Sequence, residues 1–469
     1  MGESAPALKT VIKNTTVVTG NSGRDVIYDG AVAIDEDKIL SVGPSSEIEA
    51  AHAEAATIDG RGKAIFPGLI NCHTHLLATL DRGILEDFGF PTRLGFPVTA
   101  RSIMTQEERQ VMALLGALEA IRSGTTTLLE ISANVAGYAP ALADTGLRLI
   151  LAENINDVDE PLVRDGVFQF SESKLEAGLK RSADLIETWN GGGNGRISCF
   201  VAPQAPETCS PLMLRQSREL ADQYGVGTTI HLSQSQQEIE SVMRIRGVRP
   251  TQYLFANGFL GSQMVAAHCR YLDPSEIALL GQYGVGISNN AAIAARRGAA
   301  APIFELQAAG CSIGMGSDNM AEDMVEVMRA GLFLERVRRN DQVNPQPEDT
   351  LDWATRGGAK ILGMDRQLGT LEPGKKADLF MVDLLRPHLV PTLRVVSAFV
   401  HNGQPSDIEA VMVDGRWLMR DGKVETIDEL QVVREAEKIG HLVWRRLTEQ
   451  FPNVPFPITL PPSPLTPSK

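Results

Sequence analysis

The sequence predicts an α/β protein: a (β/α)8 TIM barrel with a small β-sandwich domain built from both termini. Three observations carry this. Eight short apolar runs recur through the middle of the chain, helix-like segments stand between them, and a hairpin-rich texture brackets them at both ends. A length of 469 residues also suits one barrel plus one small unit.

The elements follow in order. Residues 10–44 read as short strands between turns. Thr16-Val17-Val18-Thr19 stops at Gly20-Asn21-Ser22-Gly23, and Ala31-Val32-Ala33-Ile34 runs into acidic turn residues. The eight middle runs are residues 65–72, 125–131, 147–152, 196–203, 226–232, 264–269, 284–288 and 311–316, with helices predicted over 105–123 and 211–224. The glycine-rich stretch at 191–195 is a loop. Strand texture returns at Asp378-Leu379-Phe380-Met381-Val382 and across 411–419, where Asp414-Gly415 marks a hairpin turn. The resulting bounds are 10–62 plus 366–430 for a composite β-sandwich, 63–365 for the barrel, and 431–469 for a C-terminal helix and Pro-rich tail. From Phe451 onward seven prolines exclude a helix or a central strand.

Composition narrows the function classes. With 44 Lys+Arg against 58 Asp+Glu, the net charge of −14 argues against tracking nucleic acid or an anionic membrane. No apolar run approaches the length of a bilayer span. The first fourteen residues lack an apolar signal core, which predicts a cytoplasmic protein. Five cysteines without a C-x-x-C exclude a zinc knuckle and read as buried small hydrophobes in a reducing compartment. A small-molecule substrate and a homo-oligomer, dimer or larger, are the expected partners.

The polar residues at the run ends carry the chemistry. Of eight histidines, His73, His75, His231 and His268 close runs one, five and six, and Asp318 follows run eight. In a barrel these ends meet at one mouth. The period of two in His73-Thr74-His75 sends both imidazoles to the same side of a strand. Imidazoles with a carboxylate suit Zn²⁺, Fe²⁺ or Co²⁺. His52, His388, His401 and His441 read as surface or structural residues.

Several stretches then point to a family. They are Pro67-Gly68-Leu69-Ile70-Asn71-Cys72-His73-Thr74-His75, residues 121–127, His231-Leu232-Ser233, Ala267-His268-Cys269, Gly314-Met315-Gly316-Ser317-Asp318, and residues 369–379. In this order they resemble the strand motifs of the amidohydrolase superfamily, nearest its cytosine deaminase, guanine deaminase and triazine hydrolase branch. The resemblance implies a barrel with a β-sandwich and one divalent metal ion per chain, zinc first, iron or cobalt next. Binuclear relatives carry a bridging lysine on the fourth strand; Ile197-Ser198-Cys199-Phe200-Val201-Ala202-Pro203 has none. Carried over by position, His73, His75, His231 and Asp318 are the metal ligands. By the same resemblance His268 polarises the bond under attack or sits close to the metal, and Asp318 takes a proton from the attacking water.

Three departures stand against that pattern. The glutamate that deaminases of this branch place three residues after the strand-five histidine is Gln234, an amide unable to act as general acid or base. The histidine of the Pro-His-Ala-Pro stretch is Gln204, and Ile287 stands at the histidine position after run seven. An intact ligand set with fewer ionisable groups predicts retuning toward a substrate that needs no glutamate shuttle. The expected function is therefore hydrolysis of a C–N or C–S bond in an apolar urea, carbamate or thiocarbamate, as in phenylurea and molinate hydrolases, within xenobiotic degradation. The second expectation is a heteroaromatic aminohydrolase or dechlorinase in which Glu207 or Glu238 replaces the glutamate. The third is a catalytically silent interaction protein. Gln234 is expected to orient water or substrate. Gln204, Glu207, Asn289, Phe88, Phe90 and Phe96 are expected to bind substrate, the phenylalanines from a loop over the mouth shared with Leu85 and Leu94.

Overall fold

The computed structural model describes residues 9–465 apart from Arg93 and Arg164. Eight parallel strands close into a barrel: Leu69–Thr74, Thr125–Ser132, Arg148–Ile155, Ile197–Pro203, Gly227–Leu232, Met264–His268, Gly286–Asn289 and Ser312–Met315. The predicted helices are present. Gln106–Arg122 starts at a reciprocal cap, in which the Thr105 amide donates to Glu108 at 2.8 Å and the Glu108 amide donates back to the Thr105 hydroxyl at 3.3 Å. Pro211–Tyr224 has Ser210 as its N-cap, Pro211 in its first turn and left-handed Gly225 as its C-cap. All five cysteines are free and buried. No helix among the described residues is long and apolar enough to cross a membrane.

Both ends of the chain meet in one nine-stranded sheet. Its central pairings run Arg416–Arg420, Ile408–Val413, Leu379–Asp383, Lys63–Pro67, Thr10–Val18, Val26–Asp35 and Lys38–Pro44. Ile12, Val17, Val32, Ile65, Leu379 and Met412 pack one face of it.

One predicted run divides. Residues 65–72 are two strands, not one. Lys63–Pro67 pairs antiparallel with Leu379–Asp383 in the terminal sheet, and the barrel strand starts only at Leu69. Proline at 67 has no N–H to continue a ladder. Gly68 is the pivot: its amide donates to the Asp378 carbonyl at 3.0 Å, and a Cβ there would lie 2.1 Å from Thr126 Oγ1. Gly68→Ala is therefore expected to destabilise the fold by about 1–3 kcal/mol, read as a lower urea midpoint at unchanged slope. An unaltered midpoint would show that the pivot yields freely.

The sheet is fastened to the bottom of the barrel by a buried cation. Arg148, at the start of the third barrel strand, makes two hydrogen bonds to Asp378 at 3.0 and 3.1 Å and a third to Asp414. The C-terminal helix, Glu429–Gln450, packs Val443, Trp444 and Leu447 inward. Trp444 Nε1 donates to the Leu80 carbonyl at 2.9 Å, and Arg446 pairs with Glu108 at 2.7 Å. The described part of the Pro-rich tail returns over this helix, with the Phe456 ring stacked on Trp444 at 5.7 Å. Residues 466–469, the end of the predicted tail, lie outside the described residues.

Candidate metal centre

The mouth of the barrel is built from irregular strand ends. His73 is inside its strand and His75 caps it; His231 is next to last in the fifth strand and His268 is last in the sixth. Asp318 follows the eighth strand and is tied to the first, donating its amide to the His73 carbonyl at 3.0 Å and accepting from the His75 amide at 2.8 Å. Ser233, His268, Cys269 and Asp318 all have left-handed backbones, with φ of 50°, 77°, 53° and 73°. Each such non-glycine residue costs roughly 1–3 kcal/mol, so their concentration at one rim marks strain held where side chains must be aimed.

The side chains converge. His73 Nε2 and His75 Nε2 lie 3.4 and 3.6 Å from Asp318 Oδ1, and His75 Nε2 lies 3.1 Å from His231 Nε2. His73, His231, His268 and Asp318 offer donor atoms within 4.8 Å of one another. Burial holds the histidines neutral, lowering His73 to about 3 and His231 to about 4, with His75 and His268 pushed down the same way.

Hydrogen bonds set the tautomers. His75 Nδ1 donates to the Ile131 carbonyl, and His231 Nδ1 donates to the Gln204 carbonyl at 2.6 Å. Both Nε2 atoms are thereby lone pairs facing the cluster. His73 is buried with no hydrogen-bond partner at either nitrogen, which is costly unless a cation takes one of them. His268 is the reverse. Its Nδ1 accepts from the Arg270 guanidinium at 2.9 Å, so in the neutral ring Nε2 carries the proton and presents a donor. The donor set fits one divalent ion at His73, His75, His231 and Asp318, with His268 beside it.

A cavity of about 690 Å³ opens above the cluster, within the range of small-molecule sites. Phe90, Gln204, Glu207 and Gln234 line it together with His75, His231, His268 and Asp318. Phe88 lines an adjoining groove that also reaches Gln234. Phe96 is elsewhere, against Phe451 and Phe456, where it supports the C-terminal segment. Asn289 does not line the cavity; its carbonyl accepts from the Gly316 amide at 3.3 Å. Ile287 packs into the hydrophobic core, because strand alternation turns it away from the mouth. Glu238 is committed: its two oxygens accept the Ser233 and Gln234 amides, each at 2.7 Å.

Arg270, Arg297 and Glu322 had no motif to announce them. Arg270 follows His268 by two, and that proximity was the one available signal. Arg297 holds the loop over the mouth, donating to the Gly89 carbonyl at 2.8 Å and the Leu85 carbonyl at 3.2 Å. Glu322 accepts from Thr74 Oγ1 at 2.6 Å and from Ser317, and burial pushes its carboxyl up to about 8. It braces the two strand ends that carry His73 and Asp318.

The profile of the amidohydrolase family matches residues 64–418. A 5-methylthioadenosine/S-adenosylhomocysteine deaminase from Pelotomaculum thermopropionicum is 34% identical over 91% of this chain and 97% of its own. A 5'-deoxyadenosine deaminase from Methanobrevibacter smithii is 32% identical over 87% of this chain and 92% of its own. The solved structure of an adenosine deaminase from Xanthomonas campestris with bound zinc superposes with a TM-score of 0.86 at 26% identity, covering 94% of this chain and all of that one. The atrazine chlorohydrolase of Arthrobacter aurescens TC1, complexed with zinc, shares the fold at a TM-score of 0.81 and 21% identity, over 92% of this chain and all of that one.

These relatives correct the functional expectation. Hydrolysis of ureas, carbamates or thiocarbamates is not what any of them is named for; the relatives above 30% identity are named as deaminases of adenine nucleosides, which replaces xenobiotic degradation with the second expectation, a heteroaromatic aminohydrolase. The error has a physical source. Gln234 removes the carboxyl three residues beyond His231, but the folded cavity contains another, Glu207.

Proposed function

The chain belongs to the amidohydrolase family, and from that premise we propose that it is a cytoplasmic, zinc-dependent aminohydrolase acting on a 5′-modified adenine nucleoside. The reaction exchanges the 6-amino group for oxygen and releases ammonia. The observation that carries this reading is the near full-length similarity to deaminases of such nucleosides, together with a neutral histidine cluster under a cavity of suitable size. The orphaned nitrogens of His73 and the outward Nδ1 bonds of His75 and His231 support a metal held by these three and Asp318. When bound, such an ion supplies an acidified water near neutral pH.

The remaining work falls to the chain. Asp318 Oδ1 faces His73 and His75, leaving Oδ2 to take a proton from the attacking water. His268 Nε2–H stabilises the oxygen as negative charge develops on it. Gln204 and Gln234 present neutral amides to the edge of the base, and Phe90 offers it an apolar surface. The test is direct: 5′-deoxyadenosine, methylthioadenosine, S-adenosylhomocysteine and adenosine are each incubated with the purified protein. Ammonia release with conversion of the adenine spectrum to that of hypoxanthine is the expected result. A protein containing zinc that releases no ammonia from any of the four would refute the reading.

A further inference from the structure

Deamination needs two proton carriers. One must meet the ring nitrogen as water adds to the neighbouring carbon, and the attacking water must lose a proton elsewhere. Asp318 can do the second. The position three residues beyond His231 holds an amide, which can do neither.

The loop from Gln204 to Ser210 supplies another group. It leaves the fourth barrel strand and is bound to the fifth at the cluster itself, because the Gln204 carbonyl accepts both the amide of His231 at 3.1 Å and its Nδ1–H at 2.6 Å. Three residues on, Glu207 lines the same cavity as His231, Gln234 and Asp318. Its Oε2 is buried and has no hydrogen-bond partner. Glu153, by contrast, is held by the Asn134 and Val135 amides and by Arg181.

Its neighbour explains where a proton resides. Burial, and after it the charge of Glu207, push the carboxyl of Glu238 up. Both Glu238 oxygens accept backbone N–H groups at 2.7 Å, and a proton on either would compete with those bonds. Of the two, Glu207 is the carboxyl with an oxygen left unbonded to carry a proton. Burial independently pushes the Glu207 carboxyl up to about 7.

Resting on the deaminase reading, we propose that Glu207 is the second proton carrier of this site, standing in for the glutamate that Gln234 replaces. The Glu207 carboxyl protonates the ring nitrogen while water oxygen bonds to the adjacent carbon and the water's first proton passes to Asp318. Asp318 then protonates the amino group. The C–N bond breaks, ammonia leaves, and the hydroxyl proton returns to Glu207 as the carbonyl forms. Water is consumed, both carboxyls regain their starting states, and no other reactant is needed.

The charged groups sharing the cavity are Arg101, Arg109, Glu160, Arg270, Arg297 and Asp318, with Glu238 behind the turn. Because Glu207 must begin protonated, kcat of the wild type should fall as pH rises through about 7. With 5′-deoxyadenosine and the zinc-loaded protein, Glu207→Gln should lower kcat by on the order of 10²–10⁴-fold and remove that basic limb, leaving KM, zinc content and melting temperature near wild type. The double variant Glu207→Gln/Gln234→Glu returns a carboxyl to the strand-five position and should recover most of kcat. An active wild type whose Glu207→Gln variant keeps its kcat and basic limb would overturn this proposal alone. A wild type that deaminates none of the four nucleosides would overturn it together with the reading beneath it.

Discussion

His75→Ala should yield protein that holds no zinc and turns over no nucleoside, whereas His268→Ala should keep its zinc and lose kcat by on the order of 10²–10³-fold. Proximity alone argues otherwise, since the four donors within 4.8 Å of one another include His268 and omit His75. Protonation decides between them. His75 spends its Nδ1–H on the Ile131 carbonyl and keeps a lone pair on Nε2, 3.1 Å from that of His231. His268 receives Arg270 at Nδ1 and so carries its proton on the side facing the cluster. A neutral imidazole cannot both donate and ligate from one nitrogen. Elemental analysis of the two variants, read beside ammonia release, separates the assignments. Zinc retained in His75→Ala and lost in His268→Ala would reverse them.

Arg148→Ala is expected to cost about 3–5 kcal/mol of stability. The guanidinium is nearly inaccessible, at 4% side-chain exposure, and bridges Asp378 and Asp414. Removing it leaves two carboxylates at the seam between the barrel and the sheet, with Lys376, 3.4 Å from Asp414, as the remaining cation beside them. Denaturant unfolding measures the loss. Asp378→Asn added to Arg148→Ala should return part of it by removing one of the stranded charges. A single variant that unfolds at the wild-type midpoint would show the seam to be held by apolar packing alone.

The barrel was legible because each strand is a short apolar run and four of the eight histidines fall at the ends of such runs. Helix limits were legible where a cap announced them, as at Thr105 and Ser210. The division at Gly68 was not, since 65–72 reads as one run and only three-dimensional pairing assigns its halves to different sheets. The four residues proposed as ligands could be carried over from motifs. The choice between Glu207 and Glu238 could not, because only the folded cavity shows Glu207 lining it with an unbonded oxygen while the Glu238 oxygens are taken by backbone amides. Phe96 misled for the converse reason: its segment borders the mouth, but its ring turns toward a tail that sequence spacing leaves far away.

The pairing of Lys63–Pro67 with Leu379–Asp383 bears on how the protein is made. A ribosome releases the first of these strands more than 300 residues before its partner. At roughly 5–20 residues per second, the nascent chain carries that exposed edge for on the order of 15–60 s. Ile65 and Phe66, fully buried in the finished protein, spend that interval in the cellular milieu as a template for wrong pairing. Shortened transcripts that end before residue 379 never close the edge, and their products belong with aggregates or chaperones, however complete their barrels.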